Sequence, residues 1–443
     1  MEEVRKEVSE LLGVLAGGWE KSGFIDLEAS EMATRSAVHR AGARVLTGLL
    51  KQEPPEQREI PCGCGGRAKY VELRPKQILT VVGDVQIRRS YYLCSGCHKG
   101  QAPFDRELGI EGFEVSPGVR RMAAVVGNQS AFEVGHNQLK LLADLDVTAK
   151  AVERYSEAIG ADIGRRESDY RRKALGPEPP PPVSDEIGTM YVEMDATSVP
   201  MVPREVEDRA GREPGQRARS RDAKLGCVFT QTTADEDGYP IRDEASTTYT
   251  GAIETAEEFG RRIYAEAYRR GCCCAARLVV LADGAPWIWI LAALHFPQAI
   301  QIVDLYHARK HLWDLAAKLF SDPKARSRWV KRAQRMLDAG RIEALVTLLR
   351  KFPAADQQAA DALRIDADYF ERNADRMRYA KFKREGLFVG SGVIEAGCKT
   401  LIGSRLKQSG LFWTVRGANS IIDLRCCILS DTFEDYWTSR LAA

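Results

Sequence analysis

Three apolar runs in the second half of this chain each lead into an aspartate. "MYVEM" precedes Asp195, "RLVVLA" precedes Asp283 and "AIQIV" precedes Asp304. Short apolar runs bounded by turn signals read as buried strands. A carboxylate in such a setting is costly to desolvate unless something compensates its charge. Between the runs lie helical patterns: "AIETAEEFGRRIYAEAYRRG" ends at Gly271 and "PWIWILAALHF" follows Asp283. Together with the strand-like "KLGCVFTQTT" and "ASTTYTG" the order is β-β-β-α-β-α-β, then a helical stretch, then one more helix. A mixed sheet flanked by helices follows from that alternation. If the strands of Asp195 and Asp283 are neighbours, both carboxylates project from one edge of it.

The 443 residues suffice for several domains, and 44% hydrophobic with 28% charged residues is a globular composition. No run of about 18 apolar residues marks a membrane span. The opening "MEEVRKEVSELLGVLAGG" mixes charges and lacks the apolar core of a signal peptide. A cytoplasmic location is expected, so the eleven cysteines read as thiols or metal ligands before disulfides.

Composition shifts divide the chain into a multidomain α+β protein. Residues 1–55 read as helical. Residues 56–110 hold Cys62-x-Cys64 and Cys94-x-x-Cys97 around a hairpin signal at Gly83-Asp84. Residues 111–175 are helical again, broken near Asp144 to Thr148, with Thr148 as a helix N-cap; this fits a helix-turn-helix or an ordinary helical hairpin. The proline run in 176–189 is a stiff linker. Beyond it lie a core in 190–307, a helical insertion in 308–385, and the rest of the core with the C-terminal tail in 386–443.

The cysteine layout is that of a Cys₄ zinc ribbon, with C-x-C in place of the usual first C-x-x-C and a long gap between pairs. Structural zinc on Cys62, Cys64, Cys94 and Cys97 is expected, with His98 as a substitute ligand and free thiols as the alternative. Cys272, Cys273 and Cys274 have no visible partner pair, and Cys426 and Cys427 read as core.

Net charge is only +2, but basic residues cluster. "PKARSRWVKRAQR" carries six and no acid; "RMRYAKFKR" and "KTLIGSRLKQ" are also basic. Such stretches suit phosphate neutralisation. Arg328, Lys331 and Arg332 in the first, and Lys399, Arg405 and Lys407 in the third, are candidate DNA contacts; solvated helix faces are the alternative. Carboxylates are the hard oxygen donors that Mg²⁺ and Mn²⁺ prefer. A third carboxylate, Glu395, lies early in the last amphipathic helix. By spacing alone, an i to i+4 ion pair with Lys399 on a solvated helix face is the better account of it. Trp287 and Trp289, just after Asp283, suit stacking on a base or the core, and the core is expected for one of them.

"YVEMDATSVPMV", "LADGAPWIW", "QIVDLYHARKHLWDLA", "SGVIEAGCKTLIGSRLKQSG" and "FWTVRGANSIIDLRCC" resemble the DDE transposases of bacterial insertion sequences, specifically the ISKra type. The resemblance spans nearly the whole chain. It implies a zinc-ribbon-like N-terminal module, a helical DNA-binding region and an α/β ribonuclease-H-like catalytic core with a helical insertion. Asp195, Asp283 and Glu395 would be the catalytic triad holding Mg²⁺ or Mn²⁺, two ions in all. Asp304 and His307 match a D-x-x-H signature; a helix-start aspartate and a packed histidine are the alternative. One departure is "MDAT", where a glycine is expected after the aspartate. The implied activity is DNA cleavage at terminal inverted repeats and joining of 3′-hydroxyl ends to target DNA. The implied partners are double-stranded DNA and a second copy of the chain, in a bacterial nucleoid setting. A non-catalytic zinc-containing DNA-binding protein and a nuclease without strand transfer are the rival readings.

Overall fold

The computed structural model describes residues 5, 6, 9, 10, 13, 26–181, 186–211 and 216–440. It is mixed α+β and divides into two compact units, Met1–Ser156 and Glu157–Ala443. No helix among the described residues is long and apolar enough to cross a membrane.

In the first unit, helix α1 (Leu27–Leu49) starts at Asp26, whose carboxylate accepts the Ala29 N–H at 3.1 Å. The part of the expected helical region that precedes it lies largely outside the described residues, and residues 50–55 after it are not helical. Strands β1 (Glu59–Pro61), β2 (Arg67–Thr80), β3 (Gly83–Cys94) and β4 (Gly100–Gln101) form an antiparallel sheet in that order. Ala43 of α1 packs with Ile78, Val85, Ile87 and Ile110. The hairpin turns two residues earlier than its Gly-Asp signal: Thr80 pairs Gly83, so Val81 and Val82 form the turn. The Thr80 hydroxyl fixes it by donating to the Gly83 carbonyl at 2.7 Å, and Gly83 supplies the φ of +98° that follows.

After a short helix α2 (Pro103–Glu107), helices α3 (Pro117–Gln129), α4 (Phe132–Ala143) and α5 (Ala149–Ala174) follow. Ser116 caps α3, Asp144 closes α4 at φ +56°, and Thr148 Oγ1 accepts the Ala151 N–H at 3.3 Å. The break and the cap are where the sequence places them. The boundary between the two units falls inside α5, upstream of the proline run. The later part of α5 belongs to the second unit because Gly160 lies against the Ser420 backbone, and Asp162 accepts the Tyr436 hydroxyl at 2.9 Å.

The second unit holds a five-stranded mixed sheet in the order β11-β10-β5-β6-β9. Its strands are β5 (Ile187–Pro200), β6 (Ser220–Gln231), β9 (Thr248–Ala252), β10 (Ala275–Ala282) and β11 (Ile300–Val303); β7 (Thr233–Ala234) and β8 (Pro240–Ile241) form a separate ribbon. Strand β10 is parallel to β5 and β11, while β6 is antiparallel to β5 and β9. Tyr191, Val192, Met194, Val228, Val280 and Leu281 are fully buried along the centre. Helices α6 (Ala256–Arg269) and α7 (Pro286–His295) connect the strands.

After β11 the chain is helical: α8 (Leu305–Leu319), α9 (Pro323–Asp338), α10 (Ile342–Arg350), α11 (Gln357–Arg372) and α12 (Tyr379–Arg384). The last core helix is not uniform. It runs as α13 (Gly392–Gly397), a π-helical segment Cys398–Gly403, and α14 (Ser404–Leu406). Helices α15 (Val415–Leu429) and α16 (Phe433–Ser439) complete the unit.

Candidate functional site

Register brings the aspartates together. Met194 pairs Ala282, and Ala282 pairs Val303. Asp195, Asp283 and Asp304 are the next residues along three adjacent strands, about 4.8 Å from strand to strand. One detail differs from the sequence reading. Asp195 does not end its strand, because β5 continues alongside β6 to Pro200. What ends at Asp195 is the parallel pairing with β10. Ala196 fits this extended backbone in place of the expected glycine, pairing Lys224 and donating its N–H to Asp195 Oδ1 at 2.6 Å.

Burial lifts the Asp195 carboxyl above its usual range. The Ala196 N–H and the Cys398 thiol oppose that shift, and the charges of Asp283 and Glu395 add to it. The charges of Asp283 and Glu395 thus bear on Asp195, and a cation would relieve that repulsion. Asp283 Oδ1 accepts the Ala285 N–H at 2.9 Å, which opens α7. Glu395 is exposed in α13, and its Oε2 lies 3.7 Å from Lys399 Nζ, so the i to i+4 ion pair also forms. The three carboxylates are not drawn into a cluster as tight as the cysteines described below.

Asp304 is 3% exposed and engaged by the fold. It accepts hydrogen bonds from the His307 N–H, the Ser391 N–H and, at 2.9 Å, the Ser391 hydroxyl. It thereby ties the start of α8 to the turn before Glu395. The half-buried His307 has its ring 5.3 Å from that of His311.

Several residues of this region carry no sequence signal. Glu193, fully buried on β5, accepts the Ile394 N–H at 2.8 Å. Burial pushes its carboxyl up to about 8, against the pull of that N–H. His311 Nδ1 lies 2.8 Å from Asp366, and its ring stacks on Tyr369 at 4.1 Å. A cavity of about 440 Å³ opens here, lined by Asp283, His307, His311, Tyr369, Arg372 and Arg376. The Tyr369 hydroxyl and the indole N–H of Trp289, both buried, have no hydrogen-bond partner among the described residues. Gly284 is required beside Tyr369, because a Cβ there would lie 2.1 Å from its ring. Of the two tryptophans, Trp289 is the buried one, under the Arg376 guanidinium at 4.7 Å. Trp287 packs edge-on against Phe259 at 5.9 Å.

The basic candidates separate. Arg328, Lys331 and Arg332 are exposed on α9, whose opposite face buries Trp329, Val330, Ala333 and Leu337. No ion pair neutralises these three among the described residues. Nearby arginines do have partners, as Arg309 with Asp338 at 2.7 Å and Arg350 with Asp368 at 3.0 Å. Lys407 is exposed and reaches Thr197 on β5, and Lys399 is exposed beside Glu395. Arg405 departs from expectation. It is fully buried, with its guanidinium 5.2 Å from the Trp413 ring, so it is placed to support the core and not to contact DNA. The π-helical segment shifts the helix phase just before it, which alters the face a regular 3.6-residue count assigns.

In the first unit, Cys62, Cys64, Cys94 and Cys97 place their sulfurs within 4.8 Å of one another. The Cys62–Cys97 and Cys64–Cys94 separations are 3.6 and 3.7 Å. Zn–S bonds of about 2.3 Å in a tetrahedron give S···S edges of about 3.8 Å, so the quartet fits zinc. The short C-x-C spacing works because the Cys62 N–H donates to the Gly66 carbonyl at 2.9 Å, with Gly65 at φ +86°. The N–H groups of Cys97 and Gly96 draw the Cys94 thiol down to about 6. At Cys97 the Lys99 N–H also lowers the thiol, but the sulfur of Cys62, burial and the remaining sulfurs outweigh it and raise it to about 11. His98 is not among the clustered ligands; it directly follows Cys97, at φ +57°. Cys426 and Cys427 are buried, whereas Cys273 and Cys274 are exposed.

No protein-family model matches the chain, and no curated protein does. Among solved structures, the Drosophila P element transposase strand transfer complex is similar over 76% of this chain and 86% of that one, at 11% identity and a TM-score of 0.25. A likeness at that score does not establish a shared fold.

Proposed function

We propose that this chain is a DNA transposase of the DDE type, of the ISKra kind its motifs resemble, with a ribonuclease-H-like core. The observation that carries the reading is the register match that sets Asp195 and Asp283 side by side on neighbouring parallel strands. The strand order supports the core assignment: β5 is central, β6 and β9 follow on one side with antiparallel pairings, and β10 and β11 follow on the other with parallel pairings.

In this reading Asp195, Asp283 and Glu395 hold two Mg²⁺ or Mn²⁺ ions. When bound, such ions stabilise charge on the attacking and leaving oxygens of phosphoryl transfer. The chain's own residues bind and orient the strand. The donors around the Asp283 cavity, Arg372, Arg376, His307 and His311, suit the phosphates of a DNA strand held beside the carboxylates. Asp304 orients the turn that carries Glu395. Arg328, Lys331 and Arg332 supply phosphate contacts from the insertion, and Lys399 and Lys407 supply them beside the site. The zinc-stabilised first unit helps recognise the element's terminal repeats. Two ends must be joined, so a dimer or larger assembly works on DNA.

The Glu395–Lys399 ion pair favours the rival reading of a DNA-binding protein without catalysis. The deciding experiment is cleavage and strand transfer on DNA carrying the element's ends, with Mg²⁺, for wild type and Asp283→Asn. Metal-dependent cutting and joining, lost in the variant while binding survives, supports the transposase. Cutting without joining supports a nuclease, and binding without cutting supports the rival. Cutting that persists in Asp283→Asn removes Asp283 from the chemistry.

A further inference from the structure

We propose that Glu193 is a positioning residue for Glu395, clamping the first turn of α13 against the strand that carries Asp195. The inference rests on the reading that Asp195, Asp283 and Glu395 hold divalent metal.

The geometry is specific. Glu193 lies two residues before Asp195 on β5, and residues two apart share a face of a strand. Its Oε2 accepts the backbone N–H of Ile394 at 2.8 Å, one residue before Glu395. That N–H is among the first-turn donors that no intrahelical carbonyl can satisfy. Ser391, the residue before α13, makes no side-chain cap, so the acceptor comes from the sheet. Asp304 holds Ser391 itself, at 2.9 Å to the hydroxyl. Two carboxyl groups, from β5 and from the end of β11, thus fix positions 391 and 394. The orientation of Glu395 then depends on the same strands that set the positions of Asp195 and Asp283.

Stability alone gives little reason for an acid here. Glu193 is fully buried in the central strand, and no cation makes an ion pair with it among the described residues. Its nearest polar neighbour across the register is the Cys227 thiol, 3.8 Å away, and its Oε1 has no hydrogen-bond partner. An apolar side chain would fill the same space without a stranded oxygen. Breaking this local rule beside three other carboxylates is intelligible if the acceptor holds Glu395 in register.

The test uses the full-length, zinc-loaded protein and Mn²⁺ as the probe, with free Mn²⁺ followed by electron paramagnetic resonance. Wild type, Asp283→Asn, Glu193→Gln and Glu193→Met are compared. Glutamine keeps an acceptor for the Ile394 N–H; methionine keeps the volume and removes it. Residues that orient metal ligands typically change affinity about 10- to 100-fold when lost. Glu193→Met is expected to weaken Mn²⁺ binding by about that factor, and Glu193→Gln to stay within about threefold of wild type. Hydrogen exchange across residues 392–397 should accelerate in the methionine variant alone. A folded Glu193→Met that binds Mn²⁺ like wild type overturns the proposal, as does a glutamine variant as weak as methionine. Should the methionine variant not fold, an Ile394 amide that exchanges at the unprotected rate in wild type also overturns it. If Asp283→Asn leaves Mn²⁺ binding unchanged, the metal reading itself fails and takes this inference with it.

Discussion

Asp304 accepts the Ser391 hydroxyl at 2.9 Å, joining the end of β11 to the residue that precedes the helix of Glu395. The carboxylate also takes the N–H groups of Ser391 and His307, so one buried side chain satisfies three donors. Asp304→Ala should leave those donors unpaired and destabilise the second unit by about 3 kcal/mol or more, since each stranded buried group costs about 1–3 kcal/mol. Asp304→Asn, which keeps an acceptor, should lose less. Urea unfolding of both variants checks this, and equal losses would show that acceptance is not what matters.

The cysteine quartet predicts one zinc per chain. Cys94→Ser should release the metal and unfold the first unit, seen as loss of metal by elemental analysis and loss of the sheet signal by circular dichroism. The sheet is small, and its core around Cys62, Ala68, Tyr92 and Cys94 includes two of the four sulfurs. Full zinc loading of the serine variant would remove Cys94 from the ligand set.

Charge on α9 predicts a salt signature. Replacing Arg328, Lys331 and Arg332 together by glutamine should weaken duplex DNA binding and flatten the slope of log K against log salt by about 2.7, from about 0.9 per phosphate contact. Arg405→Gln should leave that slope unchanged and lower the melting temperature, because Arg405 is buried against Trp413. Fluorescence anisotropy at several salt concentrations, with thermal melts alongside, separates the two outcomes.

Burial raises the Asp423 carboxyl to about 7, while Arg262, 3.5 Å away, opposes the shift. In the unfolded chain the same group titrates near about 3.9. The folded state therefore holds this proton more tightly than the unfolded state. The stabilising contribution is full below about pH 4 and is lost as pH rises towards 7. Asp423→Asn cannot ionise and should narrow the gap between the urea midpoints at pH 5 and pH 8. An unchanged gap would show that Arg262 keeps Asp423 ionised throughout.

Much of the second unit was legible in the chain because its strands are buried and its breakers are sharp. "RLVVLADG" gives β10 and the aspartate that follows it directly, and in the first unit Thr148 marks the start of α5. The Gly83-Asp84 signal places the hairpin turn two residues late, because Gly83 pairs Thr80 as the first residue of β3 and the Thr80 hydroxyl fixes the turn at Val81-Val82. Arg405 was assigned to the surface by charge type, and only the packing of α14 on Trp413 reveals its burial. Glu193, His311 and Tyr369 went unread because each acts across 55 to 201 positions in sequence, as His311 does with Asp366 and Glu193 with Ile394.

By itself the sequence determined the alternation of strands and helices, the carboxylates that follow the apolar runs, and the two cysteine pairs. These are local facts, set by periodicity and spacing. Only the tertiary structure decided that Met194, Ala282 and Val303 share a register, and so that three aspartates stand side by side. Strand pairing is a long-range choice made by the packing of both sheet faces, and a slip of one residue would turn each carboxylate to the other face.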